Sequence, residues 1–273
     1  MIFYLLDIPG QILLTLTKIS GNIFSRGEKR KMNDYVITID VDWASDSIIV
    51  EVVNYLVKNK VKATWFITHD SEQIRELFKY PYLFELGIHP NFHERSTQGK
   101  TPGEVMSYLQ KIVPQAKLVR THDLMQSSSL LKMMREEFNI LYDVSLLLPN
   151  TPNIIPHEIF YSKDIGLLRF PYFWEDDIEI YNSNPCFSFK HKKYHVPGLK
   201  IFNFHPIHIL LNSCNMENYN NFKRAKNPSI TDYINENQGI GTFFREIVQF
   251  LINNTDFPGQ TISDLADKWR NSR

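Results

Sequence analysis

The feature that most constrains this chain is a repeated alternation of strand-like and helix-like segments that begins at residue 34. The strand-like runs are Tyr35–Asp40, Val61–Thr68, Leu83–His89, Lys117–Arg120, Ile140–Leu148, Leu167–Phe173 and Lys200–Phe204. Between them, apolar residues recur at helical spacing, as at Ile49, Val53 and Leu56. Such β-then-α repeats predict a parallel sheet covered by helices. A length of 273 residues suits a single α/β barrel domain.

Some segments interrupt this pattern. Residues 149–166, 174–198 and 212–238 show neither a strand-like nor a helix-like pattern of apolar residues clearly. The last of these segments is rich in Asn. We interpret all three as long loops, which in a compact domain are often functional.

The charge balance argues against one class of partner. The chain carries 30 Lys plus Arg and 30 Asp plus Glu, so its formal net charge is zero. Because nucleic-acid binders usually need a basic surface to neutralise phosphates, we expect no nucleic-acid partner.

Residues 1–33 differ from the rest, and we treat them as an N-terminal extension that precedes a domain over 34–273. An apolar stretch is followed by a basic cluster, which is the reverse of the order in a secretory signal peptide. One interpretation is an amphipathic helix that makes peripheral contact with a membrane through residues 1–33. The other is an extension that packs on the domain or is poorly ordered. We expect a cytoplasmic protein, with the inner face of the membrane as the contacting surface in the first case.

Polar residues cluster where the predicted strands end. Asp40 and Asp42 are two apart on an extended segment, so their carboxylates point the same way and repel each other unless a cation or a proton is shared. His89 and His93 have the i, i+4 spacing of many bidentate metal sites. Each pair also has a simpler interpretation, namely a strand-end turn for the aspartates and a solvated loop for the histidines.

Three further strand ends carry candidate residues. Arg120 could orient a carboxylate, or be an ordinary surface arginine. Asp143 lies inside an apolar run, where an acid needs a partner. His205 ends another apolar run, as a core histidine or as a general acid or base. In a parallel α/β barrel these ends converge on one face, where active sites lie.

In order and spacing, these five motifs resemble those of the polysaccharide deacetylase family with the NodB homology domain, also called carbohydrate esterase family 4. The resemblance covers about residues 35–210. It is closest to the WbmS-like branch, associated with O-antigen and other surface-polysaccharide gene clusters, through the T-x-D-x-D-W opening and the F-H-P-I-H ending. It implies a distorted (β/α)7-type barrel and a hydrolase that removes N-acetyl groups from amino sugars.

The chain departs from the family pattern in two places. Val41 separates the two aspartates, which are adjacent in most members. The usual R-P-P-Y-G string is absent at Arg120, while a similar string begins later, at Arg169. We assign Arg120 to the motif and place Arg169, Tyr172 and Trp174 in a substrate-binding wall.

The resemblance also implies roles for individual residues. Asp42, His89 and His93 would hold a divalent metal, with Zn²⁺ the first choice and Co²⁺, Ni²⁺ or Fe²⁺ also accepted by such ligands. Asp40 would act as general base and be oriented by Arg120, and His205 would protonate the leaving amine and be tuned by Asp143. The remaining substrate-binding candidates are Trp43, His122 and His208, and the choice between His205 and His208 as general acid stays open.

Two other functions fit the same residues. One is metal-dependent hydrolysis of non-sugar C–N bonds, such as those of cyclic amides. The other is a catalytically silent carbohydrate-binding barrel, since a fold alone does not fix a function.

Overall fold

The computed structural model describes residues 33–272 except 164, 227, 257 and 258. Residues 1–32, which carry most of the predicted N-terminal extension, lie outside the described residues. The amphipathic helix and its membrane contact therefore stay predictions.

The strands are short, and most of their residues are buried except in the strand His157–Ser162. They are β1 (Tyr35–Asp40), β2 (Ala63–Ile67), β3 (Phe84–Ile88), β4 (Leu118–Val119), β5 (Tyr142–Asp143), β6 (His157–Ser162), β7 (Ile165–Arg169), β8 (Trp174–Glu175) and β9 (Lys200–Phe204). Every residue of β1, β2 and β9 is buried, as expected for parallel strands that are covered on both faces.

The helices pack on the outside of the sheet. They are α1 (Asp46–Asn59), α2 (Glu72–Leu77), α3 (Pro102–Ile112), α4 (Ser128–Glu136), α5 (Asp176–Tyr181), α6 (Pro206–Leu211), α7 (Met216–Arg224), α8 (Ile240–Asn253) and α9 (Ile262–Asn271). Thr101 and Glu104 form a capping box at the start of α3, which satisfies amide groups that the first turn leaves free. Helix α8 has more buried residues than any other described helix, among them Phe243, Ile247 and Leu251.

The strands form one sheet in the order β6-β7-β5-β4-β3-β2-β1-β9-β8. All pairings are parallel except that of β6 with β7. Residues 165–175, which we call the closing segment, pair with β5 at their start and with β9 at their end. Between these ends, Tyr172 bridges to Leu147. The closing segment thus joins the two sides of the sheet, and the predicted distorted barrel is confirmed.

The three predicted loops contain more structure than expected. Strand β6 lies within 149–166, β8 and α5 within 174–198, and α7 within 212–238. Strand β6 escaped detection because it is an antiparallel edge strand with exposed residues, such as Phe160 at 63%. The predicted strand Ile140–Leu148 is wrong in length, since only Tyr142–Asp143 is assigned to β5.

Within the described part of the chain, we find no helix with the length and apolar character that a bilayer crossing requires.

Lys200 is a charged residue buried at the start of β9. Its ammonium group donates to the carbonyl oxygens of Val196 (2.9 Å) and Gly198 (2.5 Å) and lies 4.5 Å from the centre of the Tyr35 ring. Burial lowers the pKa of Lys200 from 10.5 to about 8, although Asp34 opposes the shift. The protonated, charged form of Lys200 is therefore less favourable in the folded state than in the unfolded state.

This shift predicts a pH-dependent stability. Between pH values of about 8 and 10.5 the unfolded chain binds more protons at Lys200 than the folded chain, so the free energy of unfolding should rise with pH there. The total rise from this group is roughly 3 kcal/mol. Urea unfolding across this range should show a smaller rise for Lys200→Met than for wild type. Lys190→Met, at an exposed lysine, is the matched control and should follow wild type. Equal pH slopes for wild type and Lys200→Met would contradict the prediction.

Candidate active site

Four of the residues singled out at the strand ends line one cavity of about 280 Å³, namely Asp40, Asp42, His89 and His205. It is lined by Asp40, Asp42, His89, Thr121, His122, Asp123, Leu124, Glu175, Asp177, Ile178, Tyr181 and His205. The cavity lies at the carboxyl ends of parallel strands, which is where α/β barrels place their sites.

Asp42 lies at the centre of a cluster with two histidines. Its Oδ1 is 3.1 Å from His89 Nε2 and 3.2 Å from His122 Nδ1. Asp42 and the following Trp43 both have left-handed backbone conformations, with φ of 42° and 56°. Non-glycine residues adopt this region at a cost, and such strain is often found at functional sites. The backbone after β1 is held in this turn by Trp43 N, which donates to Thr68 Oγ1 at 3.2 Å.

His93, the predicted third ligand, lies outside this cluster. Its side chain is 46% exposed and its Nε2 lies 2.9 Å from Asp123 Oδ2. The i, i+4 spacing places two side chains on one face of a helix or of a strand, and the chain from His89 to His93 forms neither. The structure instead groups Asp42 and His89 with His122, which the sequence suggested only as a substrate-binding residue.

The donor set of this cluster fits a divalent metal. Ligand atoms of Asp42, His89 and His122 all lie within 4.8 Å of one another. Asp42 Oδ1 and His89 Nδ1 are buried, and neither has a hydrogen-bond partner among the described residues. One carboxylate and two imidazoles suit Zn²⁺ and neighbouring transition metals. Burial would raise the pKa of Asp42, but the neighbouring imidazoles of His122, His205 and His89 hold it well below its ordinary value.

Asp40 is held rigidly beside the cluster. Its Oδ1 accepts from Arg120 Nη1 at 3.0 Å, and its Oδ2 accepts from Asn203 Nδ2 at 2.8 Å. Arg120 also donates to the Asn203 amide oxygen and to Thr38 Oγ1. Asp40 is 2% exposed. The sequence did not single out Asn203, although it lies on β9, two residues before His205.

Arg120 is fully buried and lies between two aromatic rings. Its guanidinium carbon is 4.6 Å from the centre of the Phe66 ring and 4.3 Å from that of Tyr172. Such cation–π contacts and the hydrogen bond to the Val144 carbonyl fix the plane of the guanidinium group. Tyr172 is therefore part of the core that supports Arg120, and its predicted place in a substrate wall is wrong because the side chain is fully buried.

His205 is supported by a different carboxylate from the predicted one. Its Nδ1 lies 2.7 Å from Asp176 Oδ1, and its backbone N–H donates to Asp176 Oδ2 at 2.7 Å. Its Nε2 faces the cavity, 3.5 Å from Asp42 Oδ2. Burial alone would lower the pKa of His205, but Asp176 and Asp177 outweigh it and raise that pKa well above its ordinary value. His205 can therefore hold a proton at neutral pH.

Asp143 forms an ion pair elsewhere in the barrel. Its Oδ2 lies 2.5 Å from Arg169 Nε, and both side chains are buried. Arg169 also donates to Gln126 Oε1 at 2.5 Å. The predicted role of Asp143 toward His205 is wrong because Asp176 occupies that position. Arg169 likewise neutralises a buried acid and is not part of a substrate wall.

The remaining substrate-binding candidates differ in how exposed their side chains are to solvent. Trp43 is 38% exposed and packs edge-on against His122, with ring centres 5.2 Å apart. Trp174 is 2% exposed and donates to Glu179 Oε2 at 2.9 Å, so it belongs to the core and its predicted role is wrong. His208 is also buried; its Nδ1 lies 3.0 Å from Ser213 Oγ and its Nε2 lies 2.8 Å from Asp177 Oδ1.

A barrel of this topology, with carboxylates and histidines gathered at the strand ends, defines the class of α/β-barrel polysaccharide deacetylases of the NodB type. The profile of the WbmS-like polysaccharide deacetylase family matches residues 37–223, more than half of the chain. The chain belongs to this family.

Several solved structures are similar to this chain. One is described as a polysaccharide deacetylase involved in O-antigen biosynthesis, WbmS from Bordetella bronchiseptica. It is 28% identical, with a TM-score of 0.71 over 80% of this chain and 90% of that chain. A family 4 carbohydrate esterase from Bacillus anthracis gives a TM-score of 0.44 at 14% identity, over 96% and 95% of the chains. A pseudoenzyme of that family from the same organism gives 0.44 at 12%, over 85% and 65%.

A search of curated proteins finds no significant match to this chain.

Proposed function

We propose that this chain is a metal-dependent N-deacetylase that acts on an N-acetylated amino sugar during surface-polysaccharide biosynthesis. Membership of the WbmS-like family and the likeness to a protein described in O-antigen biosynthesis support the substrate class. The observation that carries the proposal is the cavity itself. In it, a buried aspartate, a carboxylate–imidazole cluster and a His205–Asp176 pair face one another.

Asp42, His89 and His122 are the residues that would hold the metal. When bound, a divalent metal would polarise the acetyl carbonyl and make a water molecule easier to deprotonate. The left-handed backbone at Asp42 and the hydrogen bond that holds Trp43 N keep this carboxylate directed at the two imidazoles.

Asp40 would act as the general base. Its carboxylate cannot rotate away, because Arg120 and Asn203 each hold one oxygen. Because Arg120 and Asn203 leave lone pairs of both oxygens free, Asp40 can still accept a proton from water.

His205 would act as the general acid that protonates the departing amine. Asp176 accepts from Nδ1, which leaves Nε2 as the proton donor on the cavity side. His208 is the weaker choice, since its Nε2 is already engaged by Asp177. Trp43 is the candidate for contact with the sugar ring, because its half-exposed indole offers a flat apolar face at the rim of the site.

The test is acetate release from N-acetylated sugars by the full chain reconstituted with Zn²⁺, Co²⁺, Ni²⁺ or Fe²⁺. Free, nucleotide-linked and oligomeric N-acetylamino sugars should be compared with a cyclic amide. Acetate release that requires metal and is lost in Asp42→Ala supports the proposal. Hydrolysis of the cyclic amide alone would replace it with the other hydrolase function, and sugar binding without acetate release would favour a carbohydrate-binding barrel.

A further inference from the structure

Glu175 is one of five carboxyl groups that line the cavity, and the roles above do not use it. It ends β8 and lines the same cavity as Asp40 and His205. One ligand atom from each of Asp40, Glu175 and His205 lies within 4.8 Å of the others. Glu175 is therefore close to both the candidate base and the candidate acid.

The hydrogen bonds around Glu175 fix its orientation. Asn203 Nδ2 donates to Oε1 at 3.3 Å, and Tyr172 Oη donates to Oε2 at 3.0 Å. The Asn203 amide oxygen accepts from Thr38, so its NH₂ group is the end that bridges Asp40 and Glu175. Each Glu175 oxygen thus accepts one hydrogen bond from the protein and keeps a second lone pair to carry a proton.

The proposed reaction changes the protonation state of both the base, Asp40, and the acid, His205. Water forms the new C–O bond and gives a proton to Asp40, while the C–N bond breaks and its nitrogen takes a proton from His205. After one turnover Asp40 is protonated and His205 is neutral. Before the next turnover, one proton must leave Asp40 and one must reach His205. Both groups are almost fully buried, at 2% and 6% exposure, which slows direct exchange with solvent.

We propose that Glu175 resets the site by taking the proton from Asp40 and passing it to His205 between turnovers. This inference rests on the proposed function. Each transfer breaks one bond to hydrogen and forms another, so no oxidant, reductant or co-reactant is needed. Glu175 acts through the two other residues and is a positioning and relay residue, not a group that attacks the substrate.

The charges around Glu175 suit a relay near neutral pH. Burial raises the pKa of Glu175 to about 7; His205 and Arg120 oppose this shift, whereas Asp40 and Asp176 add to it. Tyr172 is the other titratable group in direct contact, and burial keeps its hydroxyl protonated by raising its pKa far above the ordinary value. A carboxyl that titrates near 7 can both accept and release a proton under the conditions where the base and acid must exchange one.

The kinetic test compares Glu175→Gln with wild type in acetate release. The variant should give a burst of about one acetate per site, followed by a steady-state rate at least ~10-fold below wild type. Raising the concentration of a neutral-pH buffer should restore part of the steady-state rate by carrying the proton from outside. Glu175→Asp should retain more activity than Glu175→Gln. Glu51→Gln, at an exposed residue of α1, is the matched control.

A second measurement does not depend on activity. Infrared titration of the metal-free full chain should show a carboxyl group that titrates near pH 7, is lost in Glu175→Gln, and titrates lower in Asp40→Asn. If wild type releases no acetate but this signal is present, the proposed function fails and the coupling of Glu175 to Asp40 stands. If wild type is active and Glu175→Gln loses burst and steady state together, or loses bound metal, the relay is overturned. An unchanged steady-state rate in Glu175→Gln would overturn it as well.

Discussion

Asp40→Asn is expected to lower kcat for acetate release by about two to four decades, the usual contribution of a general base. The variant should keep its metal, because the Asp42, His89 and His122 cluster does not include this residue. Asn retains one oxygen that can accept from Arg120, so the buried guanidinium group stays hydrogen-bonded. The effect should therefore fall on kcat and leave the fold intact.

The measurement is steady-state acetate release combined with metal analysis and a thermal melt. Asp267→Asn, at a side chain that is 74% exposed on α9, controls for the loss of one carboxylate. An Asp40→Asn variant that stays fully active would remove Asp40 from the role of base. A variant that unfolds would leave the role to be tested with Arg120→Lys, which should also lower kcat by loosening the hold on Asp40.

The second prediction with a large expected effect tests whether His122 or His93 is the third metal ligand. Purified protein reconstituted with Zn²⁺ should lose most of its metal in His122→Ala and in His89→Ala, and keep it in His93→Ala. The reason is geometric, since His122 Nδ1 lies 3.2 Å from Asp42 Oδ1, whereas His93 faces Asp123. Removing one of three ligands from a buried site removes much of the affinity.

Metal content by elemental analysis is the readout, with unfolding followed in parallel. His191→Ala, at an exposed histidine away from the cavity, is the matched control. Loss of metal in His93→Ala with retention in His122→Ala would restore the ligand set that the sequence suggested. Retention in all the variants would argue that the cluster does not hold the metal.

The sequence alone predicted the parallel barrel and the side of it that carries the site. That prediction was possible because β1, β3 and β9 are buried runs that end directly at polar residues. Asp40, Arg120 and His205 could be placed for the same reason, since the end of a parallel strand has one position relative to its neighbours.

Other parts of the site depend on contacts that spacing does not encode. His89 and His93 are four apart, but Pro90 follows β3 and the chain forms an irregular loop in place of a helical turn. Asp143 and Asp176 are both acids at the ends of strands. Only the path of the closing segment determines that Asp176 reaches His205 while Asp143 meets Arg169.

The positions of the aromatic side chains could not be predicted from the sequence either. Tyr172 and Trp174 occur in a string that suggests a ligand surface, yet both are buried, one against Arg120 and the other beside Glu179. A run of aromatic residues followed by acidic residues does not indicate which side chains face the interior of a barrel, because the strand is too short to show a period.

The closing segment has a consequence for how activity depends on folding. Its first half carries Arg169, its second half carries Glu175, and α5 continues from it with Asp176. The same stretch that joins β5 to β9 therefore also brings the partner of His205 into place. A chain in which the closing segment separates from its neighbouring strands would lose Glu175 and Asp176 from the site while most of its helices remain formed. Local opening of the closing segment would thus inactivate the protein well before global unfolding.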